Sequence, residues 1–198
     1  MATNFPTSLD SLTNPTASDK LNSVTVPHAT QHANINDAME AVQAKVGITD
    51  SAVTTSLDYI VKGATGIRLF SPREKWNVAA SAATGTINYD LKTAAAWYFT
   101  TDASANWTLN FRGDSGATLD SLLGVGESVT AVFAATNGGS AYYASAFQVD
   151  GSSVTPLWSG GSAPSAGTAD SVDIYAFTII KTAATPTYEV FASVTDFA

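Results

Sequence analysis

Side chains recur along this chain at two different periods, and the change of period divides it. Over residues 28–46 one seam runs through His28, His32, Ile35, Met39, Val42 and Val46. Its steps alternate between four and three, the heptad spacing of a helix that pairs with other helices. Pro27 stands at the start and Gly47 just past the end, where helices are commonly punctuated. Asn34, Asn36, Asp37, Glu40, Gln43 and Lys45 occupy the other faces. A helix of this length spans about 28 Å and is marginal alone in water. It is therefore expected to form by packing, either on its own domain or, the favoured reading, on copies of itself. β-branched residues at both seam positions favour three chains over two.

From residue 76 onward the period shortens to two. Ile87, Tyr89 and Leu91 alternate with polar residues, as do Trp107, Leu109 and Phe111. Residues 129–135, 143–149 and 174–180 read as further strands, and Tyr188, Val190, Ala192 and Val194 alternate near the C-terminus. Turn signals separate them: Asn137-Gly138-Gly139, Asp150-Gly151, Gly160-Gly161 and residues 183–186. Seven or eight short strands with frequent turns, and no alternation of helix with strand, predict an antiparallel β-sandwich of jelly-roll-like type.

Two stretches belong to neither pattern. Residues 1–27 are polar, broken by Pro6, Pro15 and Pro27, with Phe5, Leu9 and Leu12 among sparse apolar positions. They read either as a disordered arm or as an extended docking arm whose apolar residues fit grooves on a partner. Residues 48–75 read as a neck, with short strands expected at Leu57, Tyr59, Ile60 and Val61 and at Ile67, Leu69 and Phe70. The resulting plan is an arm (1–27), an oligomerisation helix (28–47), a neck (48–75) and a mainly β head (76–198).

Charge narrows the partners. The chain has 198 residues, nine basic and seventeen acidic, for a net charge of −8. Residues 87–198 set Lys92, Arg112 and Lys181 against ten acids, a balance of −7, while residues 1–86 stand at −1. A nucleic-acid binder needs a basic face, so no nucleic-acid partner is expected. No run is long and apolar enough for a membrane helix. Residues 1–6 carry neither a basic region nor an apolar core, so no signal peptide is expected. There is no cysteine, which removes disulfides, thiolate metal sites and cysteine nucleophiles.

The remaining chemistry is sparse. The two histidines, His28 and His32, share one helix face, but Ala29 stands where a zincin has glutamate. In a symmetric bundle they would form polar layers that fix register, and no metal or other cofactor is expected. Without histidine in the head, a histidine-dependent triad is excluded there. The head's carboxylates mostly fall beside Gly or Ser at turns, which suits turn capping better than glycoside hydrolysis or calcium binding. Among the aromatics, Trp97 and Trp107 fit strand cores. Trp158, in the loop-like Pro156-Leu157-Trp158-Ser159-Gly160-Gly161, and Tyr142 and Tyr143 are the candidate ligand contacts.

Phe5-Pro6-Thr7-Ser8-Leu9-Asp10, followed by Pro27-His28-Ala29-Thr30-Gln31-His32, Asn36-Asp37-Ala38 and Gln43-Ala44-Lys45-Val46-Gly47, resembles the start of minor structural and tail-fibre proteins of tailed bacteriophages. Thr136-Asn137-Gly138-Gly139, Val149-Asp150-Gly151, Leu157-Trp158-Ser159-Gly160-Gly161, Ala163-Pro164, Asp173-Ile174-Tyr175 and Thr178-Ile179-Ile180-Lys181-Thr182 resemble head domains of marine and cyanobacterial phage structural proteins. The resemblance implies a non-enzymatic virion protein, a trimeric short fibre, head fibre or knob. Its arm would bind other virion proteins and its head would point outward, with a host-surface glycan as a candidate ligand. A carbohydrate-binding, lectin-like module is the alternative expectation.

Overall fold

The computed structural model describes residues 16–24, 27–62, 73–185 and 187–198. It divides into two compact units, Met1–Pro72 and Arg73–Ala198. The arm residues Phe5, Leu9 and Leu12, and the expected strand at Ile67, Leu69 and Phe70, lie outside the described residues.

In the first unit, α1 (His28–Val46) forms where the heptad spacing places it. Pro27 is extended at its start, and the Pro27 carbonyl accepts the first bond, from the Gln31 N–H at 3.0 Å. Gly47 ends the helix at φ +87°, a conformation that favours glycine, while its N–H bonds to the Gln43 carbonyl at 2.8 Å. The expected strand at Leu57–Val61 is instead a short helix, α2 (Leu57–Lys62). Its polar residues explain the correction. The Ser56 hydroxyl accepts the Tyr59 N–H, Asp58 stands in the first turn, and Lys62 pairs with Asp58 at 3.0 Å, one helical turn away. Leu57, Ile60 and Val61 are all exposed, so the β-branched Ile60 and Val61 find no sheet to pack against.

The second unit is mainly β, with two sheets and ten strands among the described residues: β1 (Trp76–Ala82), β2 (Gly85–Asp90), β3 (Ala96–Thr101), β4 (Trp107–Arg112), β5 (Ser128–Thr136), β6 (Ala144–Val149), β7 (Ser152–Val154), β8 (Leu157–Trp158), β9 (Val172–Ala183) and β10 (Thr187–Phe197). One sheet runs β1-β3-β5-β9-β10-β8 and the other β2-β4-β6-β7.

The expected antiparallel order holds only in part. β5–β9, β9–β10 and β6–β7 are antiparallel, but β1–β3–β5 and β2–β4–β6 are parallel, as are β8 and β10. Parallel neighbours need a crossover, which is usually a helix. Within β1–β3–β5 and β2–β4–β6 each crossover is a strand of the opposite sheet: the chain alternates between sheets from β1 to β6, making three successive two-strand coils. That is why a chain without helix–strand alternation still builds parallel ladders. The antiparallel part begins at the Asp150-Gly151 turn, where both residues have positive φ and reverse the chain from β6 to β7.

The core lies between the sheets and is aromatic. Trp107, Tyr89, Tyr175, Phe111, Phe133 and Phe177 are fully buried. Rings meet across the sheets: Tyr89 and Trp97 at 5.2 Å, Trp107 and Phe133 at 5.8 Å, Phe111 and Phe177 at 4.9 Å between centroids. Burying large apolar rings on both inner faces supplies the main stabilisation of a cysteine-free domain.

Candidate functional site

The seam of α1 is the first candidate surface, and the structure leaves it open. Ile35 and Met39 are each 54% exposed, Val46 51% and Val42 42%; His28 and His32 are exposed too. The face that is covered is another one: Asn34 is buried, with Thr30, Gln31, Ala38 and Ala41 half-buried around it. These five fall on one side at helical spacing. The helix therefore covers a small and polar face and exposes its apolar one. This inverts the usual amphipathic arrangement of a monomeric surface helix. The two imidazoles lie edge to face with centroids 4.3 Å apart, at the N-terminal end of the seam.

In the head, the candidate contacts do not gather. The 156–161 stretch, read as a loop, contains β8, which runs parallel to β10 with Phe191 opposite Leu157 and Ala192 opposite Trp158. Pairing opposite Ala192 turns the Trp158 ring inward, against Phe147 at 5.6 Å and Tyr175 and Phe177 at 6.4 Å. Trp158 is thus half-buried as an edge of the core, and Leu157 is the more exposed of the pair. Tyr142 is half-buried, clamped through its backbone by the Asn137 amide, which accepts the Tyr142 N–H at 3.0 Å and donates to its carbonyl at 3.1 Å. The Tyr143 N–H donates to Asn106 at 3.2 Å. Neither tyrosine ring is among the described ring contacts of Trp158.

Several head carboxylates have partners within the head itself. Asp90 pairs with Arg112 at 2.6 Å, and this bond raises the guanidinium pKa. Asp114 pairs with Lys92 and accepts the Gly116 N–H, and the two bonds, the lysine's first, hold its carboxyl below the usual range. Asp150 accepts the N–H groups of Leu119 and Asp120 at 2.7 and 3.0 Å. Asp173, buried, accepts from Asn137, Thr168 and Ser171. Asp114 thus caps its own turn, the role expected of its Gly- and Ser-flanked position, whereas Asp150 caps a turn distant in sequence, at Leu119 and Asp120.

The two outward sheet faces differ in chemistry, a feature that reading single strands missed. On the four-stranded sheet the outward rows are polar: Thr86 beside Thr108, Asn88 beside Asn110 beside Gln148, and Asp90 beside Arg112. Asn110 donates to Asn88 at 2.8 Å along this ladder. On the six-stranded sheet one outward row runs Trp76, Ala96, Val132, Ala176, Ser193. The next is Thr130, Thr178, Phe191, Leu157. On the other side stand Val78, Tyr98, Ala134, Ile174, Thr195. None of these three rows holds a charged side chain. A groove of about 630 Å³ runs along the first two of these rows, lined in part by Leu157, Phe191, Thr130, Thr178 and Ser193. The sequence signal was present: in β5 and β9 the outward positions 130–134 and 174–180 carry no charge. Which set of alternate positions faced out was visible only once both sheets were placed.

No family model matches the chain, and neither a curated protein nor a solved structure matches it significantly.

Proposed function

We propose that this chain is a non-enzymatic structural subunit of a phage virion that self-associates through α1 into a short fibre or knob. The N-terminal arm anchors it to other virion proteins and the β head serves host-surface adhesion. The observation that carries the reading is the exposed seam of His28, His32, Ile35, Met39, Val42 and Val46 on a helix whose covered side is instead the small-residue strip of Thr30, Gln31, Asn34, Ala38 and Ala41. Matching seams on several copies would bury these side chains in knobs-into-holes packing, and the β-branched positions favour three. The arm and head motifs quoted above supply the virion part of the reading. Multiplied weak contacts suit adhesion, because linked copies raise avidity without any new contact.

The test is the mass in solution of the full chain, of residues 73–198, and of the full chain carrying Ile35→Asp with Val42→Asp. The full chain is expected as a trimer. Two aspartates per chain in a closed seam would be left desolvated and unpaired, so the double variant should lose the seam contact. A double variant that associates as the unaltered chain does would refute α1 as the self-association surface.

A carbohydrate-binding receptor module is the second reading. The groove beside Leu157 and Phe191 favours it, since an aromatic face flanked by threonine and serine hydroxyls matches a neutral sugar. Titration with host-surface glycans, read by calorimetry, tests it; absence of heat across neutral and acidic glycans would remove it.

A further inference from the structure

We infer that the outward face of the six-stranded sheet is a second self-association surface, which packs against the same face of another copy. The inference deepens the self-association proposed above but stands on a different surface, in the other unit of the chain. A sheet with one face on the core normally presents polar and charged residues on the other, as the four-stranded sheet does. The six-stranded sheet does not. Among its outward strand positions, Glu189 is the one residue charged at neutral pH, and it lies at one end, opposite Ile180. Trp76, Val78, Leu157 and Phe191 are exposed there, with Val132 and Ile174 half-buried between them.

Size and charge choose the occupant. Six strands about 4.8 Å apart, with three uncharged outward rows, cover roughly 500 Å² in plan. Side-chain relief brings this towards the roughly 800 Å² that each partner contributes to a standard interface. Contiguous apolar patches above a few hundred Å² mark interaction surfaces. Residues 73–198 carry eleven acids against five basic residues, a balance of −6. Two such heads repel wherever acid meets acid. This face is the broad surface through which they approach without that cost. A basic protein partner would be drawn instead to the acidic loops, and a charged ligand would find no counter-charge here. The α1 seam, by joining copies, would also raise the local concentration of heads.

The experiment uses the full chain, whose lack of cysteine makes a single introduced thiol unique. Thr178→Cys places it at the centre of this face, and Thr108→Cys places it on the outward face of the other sheet; both threonines are half-buried within one chain. Maleimide labelling is expected to be much slower for Thr178→Cys than for Thr108→Cys, and to become comparable once Ala176→Glu is added. Equal rates in the otherwise unaltered chain overturn the inference. Protection at Thr178 that arises only on adding glycan, in single chains, assigns the face to that ligand and equally overturns it. Light scattering across a dilution series separates this surface from the seam. If the Ile35→Asp, Val42→Asp chain still associates and adding Ala176→Glu with Thr178→Glu brings the mass to one chain, the face holds copies together by itself. If the seam variant associates as the unaltered chain does while the face variant alone gives single chains, the seam reading fails and the face stands. If single chains of the seam variant label equally fast at both sites and the unaltered oligomer does too, the face fails and the seam stands. Circular dichroism checks that the glutamate variants fold; should they not, the two thiol rates decide alone.

Discussion

Replacing Lys181 with methionine tests how the head is held together. Lys181 stands on β9 with its side chain turned inward, in line with Phe177 and Ile179, and is 7% exposed. Its ammonium donates to the carbonyls of Asp120 at 3.0 Å and Leu123 at 2.8 Å, and pairs with the Asp120 carboxylate. One buried cation thus holds the turn that brings Leu119 and Leu123 onto the core. Lys181→Met keeps the length of the stem and removes every donor. The Asp120 side chain is 39% exposed, so its other oxygen is hydrated, but the paired Oδ1 is itself buried; losing its partner adds to the cost of the two carbonyl bonds, which sets the lower limit. The two carbonyls lose charge-assisted bonds and are left short of donors, at about 1–2 kcal/mol each, or about 3 kcal/mol together. Over the roughly 125 residues of the head, the unfolding entropy is about 0.26 kcal/mol per kelvin. The melting temperature should then fall by about 11 °C or more, read by calorimetry on the full chain. Asp120→Asn keeps both carbonyl bonds and should cost only about 1 kcal/mol. A fall of less than about 3 °C for Lys181→Met would show that the turn is held by its apolar side chains and not by this ammonium.

Two further predictions follow from the head. The position of a Cβ on Gly167 would collide with the backbone carbonyl of Tyr142 and crowd the Asn137 amide, so Gly167→Ala should destabilise the head by about 2 kcal/mol or more, checked by chemical denaturation. Burial pushes the Tyr188 phenol up to about 12, with Asp150 and Asp120 adding to the rise, and burial also raises Tyr89 and Tyr175. A free phenol ionises near about 10. Above that pH the unfolded chain has given up protons that the folded chain keeps, so stability is fully present below about pH 10 and declines from there towards pH 12. Melting temperature against pH should show this decline, and Tyr188→Phe should lessen it; an unchanged profile would mean that Tyr188 ionises in the folded chain as freely as in the unfolded one.

Local pattern alone determined the helix at His28–Val46, its limits at Pro27 and Gly47, and most strands of the head. These follow from periodicity and backbone chemistry within a few residues, which no distant contact needs to supply. The short helix at Leu57–Lys62 shows where that reasoning ends. Its β-branched residues pointed to a strand, and a capping serine with one ion pair outweighed them because no sheet was there to receive them. Strand pairing was settled only by tertiary structure. Trp97 lies beside Phe133, and Ile87 beside Leu109, because the chain coils between two sheets, and alternation within one strand says nothing of which neighbour it meets. The same placement turned Lys181 and Trp158 inward and left Leu157, Phe191 and Val78 outside. A period of two establishes that a strand has two faces; only the second sheet decides which of them is the core.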